Sequence, residues 1–552
     1  MEPRSSLASA GSNRSALARG VHFGEGVEWD NAAPAPSSGA QLQKSMPEQL
    51  IRELDRISPQ VPPTRQAQIQ EALAEVLSVC RVCVGQPTGN LMQQGGESSL
   101  LPLGSYHLGV TGPFDEIDVL FLVPADFTPA QMSADLPLQI TAELHRRGVA
   151  KNVTPAGGDG LFKAPGLRFE LRGVHVKVLF SQRIPGLPQP RQEAIIQHMA
   201  GVFSREVTDS ILASVPNVDV FRSLLRFVRY WAKQRGVYGA FLGFPGGMAW
   251  AICCARICQM YPSIDFPQLA ARFFRTLSRW DWRQPMALDN SPAPGPMSAP
   301  TGSAEAPGIA PPCNMVVLLP VGTGITATSQ VSDTTMKITQ KEVRRGYKMV
   351  QQVELARASW LDVYKEARFF QRHRHYLEFD FMARTEAIQA SWIQWGKEQI
   401  QDLVRLFESM SSKIVVVRPW PEWVEFKDAE WPYAQAIFVG LHLERNAEGT
   451  QEGQRKSFDL REPIVKFLEA ISAWPEADKN ANQFELLIKH VRFAELEQWL
   501  ENRNQGIVAS QGSGGTAIQG VGGAPGAPPR GSGRAQIEDN EAGPSGLQHT
   551  SV

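Results

Sequence analysis

One short run constrains this chain more than any other. A Gly104-Ser105 pair is followed by Asp115-Glu116-Ile117-Asp118, which leads straight into the apolar run Ile117 to Val123 (IDVLFLV). A run this apolar, rich in Val, Leu, Ile and Phe, predicts a buried strand. Residues i and i+2 on a strand share a face. Glu116 and Asp118 therefore point together at the strand start and can converge on one divalent cation through oxygen ligands. A Gly-Ser turn lets backbone N–H groups approach a phosphate, and the hydroxyl adds a donor. Magnesium ligands beside a triphosphate cradle are what two-metal nucleotidyl transfer needs. Taken alone, the pattern also arises as a chance turn and strand start.

The chain has 552 residues, which at roughly 100–200 residues per domain leaves room for about three domains. Its 55 Lys+Arg against 56 Asp+Glu give a net charge of −1, which excludes nucleic-acid binding by bulk charge. Any such site must be a local basic surface. No apolar stretch is long enough to span a bilayer, and the N-terminus lacks the apolar core of a secretory signal. Residues 1–45 and 506–552 are Gly/Ser/Pro/Ala-rich and read as disordered, and 284–312 reads as a surface insertion. Between them the pattern is helical from Met46 to Val84. It then mixes strand and helix, with Leu167–Leu171 and Val174–Phe180 flanking Arg172-Gly173 as a hairpin. It is helical again from Gln192 to Tyr261 and from Thr339 to Met382. Over 383–505 it alternates: helices at Ser391–Met410, Arg461–Ser472 and Asn482–Glu501, strands at Ile414–Val417, Trp423–Phe426 and Ala436–Leu441. The fold class is α+β.

A second segment changes the weight of the first. Arg222, Arg226, Arg229 and Lys233 fall at spacings that make a basic stripe on one helix face, opposite Leu224, Leu225, Val228 and Trp231. Tyr238 and the Gly246-Gly247-Met248 run follow. The stretch from Asn217 to Trp250 resembles the central domain of eukaryotic nuclear poly(A) polymerases. The resemblance continues in the GSYxLGV…ID segment, the Leu167–Phe180 hairpin, Arg279-Trp280-Asp281-Trp282, Phe369-Phe370-Gln371 and Ile437–Leu441, in the family's order over roughly residues 46–500.

The resemblance implies a polymerase-beta-type nucleotidyltransferase palm over 46–190, a helical central domain over 191–382 and an RNA-binding domain shaped like an RNA-recognition-motif (RRM) sheet over 383–505. It implies transfer of AMP from ATP to RNA 3′ ends with Mg2+ or Mn2+, in mRNA polyadenylation, by a nuclear protein that acts as a monomer alongside cleavage and polyadenylation factors. Carried over by position, the phosphate turn is Leu103, Gly104 and Ser105, with Gly112 in the loop that follows. Glu116 and Asp118 are the metal pair. Arg229 and Lys233 stand at the phosphate-contacting lysines, Tyr238 at the nucleotide-contacting tyrosine, and Gly247 and Met248 at the pair that packs on adenine.

Two positions depart from the family. Glu116 stands where the first of three catalytic aspartates belongs, one methylene longer. Lys177, in Val174–Phe180, stands where the third belongs. An ammonium does not ligand magnesium. At about 4 Å from Asp118 it gains on the order of 4 kcal/mol of Coulomb energy at an effective dielectric of about 20, before desolvation. The expectation is that Lys177 Nζ points at both Glu116 and Asp118, as an internal cation in the metal's place. The alternative to an active polymerase is therefore a weakened or inactive relative that binds nucleotide, RNA or a partner. Other patterns carry less. Cys80-Arg-Val-Cys83 reads as a helix end, His373 and His375 diverge if they lie on a helix, and Trp420, Trp423 and Trp431 read as packing residues.

Overall fold

The computed structural model describes residues 40–86, 99–157, 164–182, 200–282, 284–289, 315–321, 324–409, 414–443, 460–493, 495–496 and 517–520. The expected disorder of 1–39, most of the 284–312 insertion and most of the tail lie outside the described residues. Among them, no helix is long and apolar enough to cross a membrane.

The chain opens with two helices, α1 (Ala40–Ile57) and α2 (Pro63–Cys83). α1 starts inside the segment expected to be disordered. Proline at the first position of α2 supplies a preset φ where no N–H partner is needed. There follow β1 (Leu100–Pro102), α3 (Gly104–Leu108), β2 (Ile117–Val123), α4 (Leu136–Arg147), β3 (Ala150–Gly157), β4 (Pro165–Leu171) and β5 (Val174–Gln182). The strands form one sheet in the order β1-β2-β5-β4-β3. β2 and β5 are parallel and the other pairs antiparallel. Ile117, Val119, Phe121, Val176, Val178 and Phe180 pack on one face against α2 and α4. Leu120, Leu122 and Leu179 pack on the other with Leu103 and Val202. Period-two alternation thus sends Asp118 and Lys177 to this second face.

Among the described residues six helices come next: α5 (Ala200–Ser214), α6 (Val218–Gln234), α7 (Gly247–Met260), α8 (Phe266–Arg279), α9 (Asp333–Glu354) and α10 (Trp360–Tyr364). Asn217 caps α6 by accepting from the N–H groups of Asp219 and Val220. Edge-to-face contacts of Phe227 with Phe266, Phe274, Trp360 and Tyr364, and of Trp231 with Trp250 and Phe274, form the centre of this layer.

The last region is a second sheet. Its elements are β6 (His375–Ala383), α11 (Glu386–Ser409), β7 (Ile414–Pro419), β8 (Val424–Glu425), β9 (Tyr433–Leu443), α12 (Arg461–Ser472), β10 (Phe484–Arg492) and β11 (Ala517–Gly520). The spatial order is β11-β10-β6-β9-β7. Setting aside β8 and β11, this is a βαββαβ unit, the split arrangement of RRM-like domains. Glu342, buried on α9, joins the helical layer to this sheet. It accepts from Arg235 and Arg372 and lies 3.5 Å from Arg418. Burial would raise its pKa, but Arg235, Arg418 and Arg372 hold the carboxyl below its usual value.

Four expectations need correction here. Residues 375–383, read as helix up to Met382, are a central strand, so the second sheet reaches back ahead of the boundary expected after 382. Asn482–Glu501, read as helix, holds β10. Both segments alternate with period two, but buried acids in β6 and the Leu486-Leu487-Ile488 run in β10 blur the alternation. Ala517–Gly520, in the tail expected to be disordered, pairs with β10, whose outer edge otherwise offers unpaired backbone groups. His373 and His375 are not helical: His373 follows a short 3-10 turn and His375 opens β6.

Candidate functional site

The site begins at the turn between β1 and α3. Gly104 has a φ of 50°, in the left-handed region, and a Cβ there would sit 3.2 Å from Asp118 Oδ2. Glycine is needed both for the conformation and for the close approach to the carboxylate. Leu103 is buried, and its N–H donates to the carbonyl of Asp118 at 2.9 Å. Ser105 Oγ accepts from Thr111 Oγ1 at 2.9 Å. The turn is thus fastened to β2 by its backbone and to the loop ahead of β2 by its Ser105 side chain.

Sheet register aligns the charged groups. Asp118 on β2 is paired with Lys177 on β5, and Lys177 is paired with Arg168 on β4. Three strands therefore carry acid, ammonium and guanidinium in one rank. Lys177 Nζ lies 3.9 Å from Asp118 Oδ1, and its side chain is only 4% exposed. Arg168 grips Glu116 through two donors, Nε to Oε2 and Nη2 to Oε1, the latter at 3.2 Å. The expectation for Lys177 thus holds toward Asp118 and needs correction toward Glu116, whose oxygens Arg168 engages. Arg168 is the residue that sequence reasoning missed. Its signal was present: in a hairpin turning on Arg172-Gly173, residues 168 and 177 stand opposite each other. Both turn residues have positive φ, 53° and 76°, as the tight two-residue hairpin turn requires.

The loop ahead of β2 is matched in the same way. Asp115 Oδ2 accepts from the N–H of Gly112 at 3.0 Å and lies 3.6 Å from Arg229 Nη2. Arg229 also donates to the carbonyl of Val110 at 2.5 Å. Arg65, on α2, donates to the carbonyls of Pro113 and Gly173 and so ties the loop to the hairpin turn. Each of the three acids Asp115, Glu116 and Asp118 has its own cation.

The basic stripe of α6 divides into two kinds of residue. Arg222 donates to the carbonyl of Leu108 at 3.0 Å, and buried Arg226 holds Asp55 and the carbonyl of Ser58. These two fasten the helix to its neighbours. Arg229 faces the acid loop. Lys233 lies over the Tyr238 ring, 5.7 Å from its centroid. A Cβ on Gly247 would meet the Tyr238 hydroxyl at 2.7 Å, so the ring packs directly on the start of α7. Met248, next in that helix, packs partly buried against the helical core. The candidate residues therefore fall into two groups, the acid rank with its Gly-Ser turn and the Lys233–Tyr238–Gly247 cluster. α3 touches α7, which carries Gly247.

A family model, the poly(A) polymerase central domain, matches residues 220–366. Nuclear poly(A) polymerase 1 of Arabidopsis thaliana is 29% identical over 397 residues, covering 68% of this chain and 52% of that protein. Poly(A) polymerase pla1 of Schizosaccharomyces pombe is 27% identical over 390 residues, covering 67% of this chain and 66% of that protein. The chain is thus similar to poly(A) polymerases over about two thirds of its length, and its residues 220–366 match their central domain. It spans about half to two thirds of the length of these curated relatives. A solved structure of Cid1, which has RNA terminal uridylyl transferase activity, overlaps loosely, with a TM-score of 0.40 and 10% identity over 58% of this chain and 99% of that one.

For a poly(A) polymerase relative, the resemblance implies a pair of divalent cations. The donor set here does not fit a pair. Asp118 faces an ammonium, Glu116 is engaged by two guanidinium donors, and the position that the resemblance gives to the third acid holds that same ammonium, Lys177. Among the described residues, no three His, Cys, Asp or Glu side chains converge as a ligand set. The cysteine pair Cys80 and Cys83 is no thiolate site either, since burial pushes the Cys83 thiol up to about 11 and the Cys80 thiol higher still. His373 is buried among Phe369 and Tyr376, and burial, with Arg418 nearby, lowers it to about 3. Trp420 stacks on Phe369, and the guanidinium of Arg384 lies over Trp431. Phe369, Trp420 and Trp431 are buried, so the β6–β9 face they cover is a packed layer and not an open stacking platform.

Proposed function

We propose that this chain is a template-independent adenylyltransferase of the poly(A) polymerase type, which transfers AMP from ATP to RNA 3′ ends. One observation carries the reading: the Gly104 turn is built against Asp118, in a chain whose next domain matches the poly(A) polymerase central domain. In the reaction the RNA 3′ oxygen bonds to the α-phosphorus of ATP while the bond to the β-phosphate oxygen breaks, releasing pyrophosphate. Gly104 and Ser105 border the triphosphate, Lys233 and Arg229 supply positive charge, and Tyr238, Gly247 and Met248 receive the nucleotide. No step is routed through a metal pair, because the acid rank does not fit one. The acceptor is an RNA 3′ end. The proposed compartment is the nucleus, supported by the name of the Arabidopsis relative, and the proposed process is mRNA polyadenylation alongside cleavage and polyadenylation factors, which rests on the resemblance.

The matched acids and cations favour a second reading, a slowed or inactive relative that binds nucleotide and RNA. Purified chain given a 5′-labelled oligo(A) primer, ATP and Mg2+ or Mn2+ separates the two. Untemplated extension on a gel is the expected result. Primer that stays unextended while ATP still binds establishes the second reading instead.

A further inference from the structure

We infer that Lys177, with Arg168 and Arg229, stands in for divalent metal at this site, so that the chain holds a nucleoside triphosphate without a divalent cation. The inference rests on the nucleotide-handling reading above and concerns how that same site meets its ligand.

In a site of carboxylates alone, a triphosphate is repelled unless cations lie between acid and phosphate. Here the chain supplies those cations itself. Asp118 has Lys177 at 3.9 Å, Glu116 has Arg168, and Asp115 has Arg229 at 3.6 Å. A triphosphate thus approaches three acids whose charge is already matched, with Lys233 adding positive charge beside Tyr238. Lys177 cannot leave easily. Its backbone lies mid-sheet between β2 and β4, and its neighbours Val176 and Val178 are fully buried in the core on the opposite face. An incoming divalent ion would have to displace a buried ammonium and a two-donor guanidinium, and among the described residues it would find no converging set of three ligand side chains.

The test is a titration of the full chain with a fluorescent ATP analogue, in EDTA and in Mg2+. The expected dissociation constants agree within about threefold. Lys177→Met should weaken binding in EDTA by about tenfold or more, and Lys177→Arg should retain it. Lys177→Asp should make binding depend on Mg2+ and create a Mn2+ site visible by electron paramagnetic resonance that the unaltered chain lacks. Circular dichroism checks the fold of each variant, and the comparison of EDTA with Mg2+ in the unaltered chain needs no variant. Binding that disappears in EDTA overturns the inference and leaves the polymerase reading standing. Undiminished binding by a folded Lys177→Met chain also overturns it. Absence of ATP binding in both conditions overturns the inference and the nucleotide reading together.

Discussion

Two strands of this molecule carry the same short pattern, acid-x-acid, with opposite surroundings. At the start of β2, Glu116 and Asp118 are partly exposed and each has its own cation. In the middle of β6, Glu378 and Asp380 are buried and share one, Lys489, whose Nζ is 2.8 Å from Asp380 Oδ2. Among the described residues, Glu378 Oε1 and Asp380 Oδ1 have no hydrogen-bond partner. Burial, then the neighbouring Asp380 charge, raises Glu378 well above the ordinary carboxyl range, and burial raises Asp380 as well. Lys489 is raised in turn, because the Asp380 and Glu378 charges outweigh its own burial. Spacing puts two carboxylates on one face in both places. What they then do is set by how many cations accompany them and by how much water reaches them.

The largest effect should come from changing that ratio in the palm. Replacing Lys177 and Glu116 together with Asp sets three acids, with Asp118, beside Arg168 and removes the partner that Lys177 gives Asp118. We expect primer extension in Mg2+ to rise on the order of a hundredfold over the unaltered chain, within the range that a completed acid and metal set contributes to such chemistry. An unchanged rate would place the defect elsewhere and would break the comparison as drawn.

A smaller effect is expected at the turn that backs Asp118. Gly104→Ala places a methyl group 3.2 Å from the Asp118 carboxylate, at a φ of 50°. The strain should cost about 1 kcal/mol of stability. The displaced carboxylate should weaken binding of the ATP analogue by about tenfold, or ~1.4 kcal/mol. Urea unfolding and the same titration measure the two. If stability falls and binding does not, the turn shapes the strand start without serving the ligand.

These two regions were not equally legible in the sequence. The Gly-Ser turn, the acids and Lys177 could be read because strand alternation is local, and because Asp118 and Lys177 each lie in an apolar run that announces a strand. Arg168 was missed because its meaning depends on the hairpin register, a pairing between residues that neither run reveals alone. The α6 stripe was legible as a pattern but not as a function. Helical spacing puts Arg222, Arg226 and Arg229 on one side, yet only packing shows that Arg226 anchors α1 and Arg222 the end of α3. In β6 the buried acids concealed the strand itself. Tyr376, Glu378, Asp380 and Met382 alternate with Leu377, Phe379 and Phe381, but a face with two carboxylates does not look like a core face.

The buried pair supplies the smallest effect and the cleanest sign. A carboxyl whose folded pKa is raised holds its proton in the folded state at a pH where the unfolded chain has lost it. Its contribution to stability is therefore fully present below the ordinary Glu pKa and is lost as pH rises through the folded value. Glu378→Gln keeps the shape and removes the titration. The variant should match the unaltered chain in acid and exceed it in stability, followed as a higher thermal midpoint, near and above neutral pH, by on the order of 1 kcal/mol. His490, beside His375, titrates with the opposite sign. Burial, then His375, lowers it to about 4, so it removes stability as pH falls and is present in both chains. The difference between the two midpoint profiles thus isolates Glu378. If the profiles overlay across the range, Lys489 holds both carboxylates in their charged forms, against the repulsion of the Asp428 charge. The two acid pairs would then be alike in electrostatics and differ only in exposure.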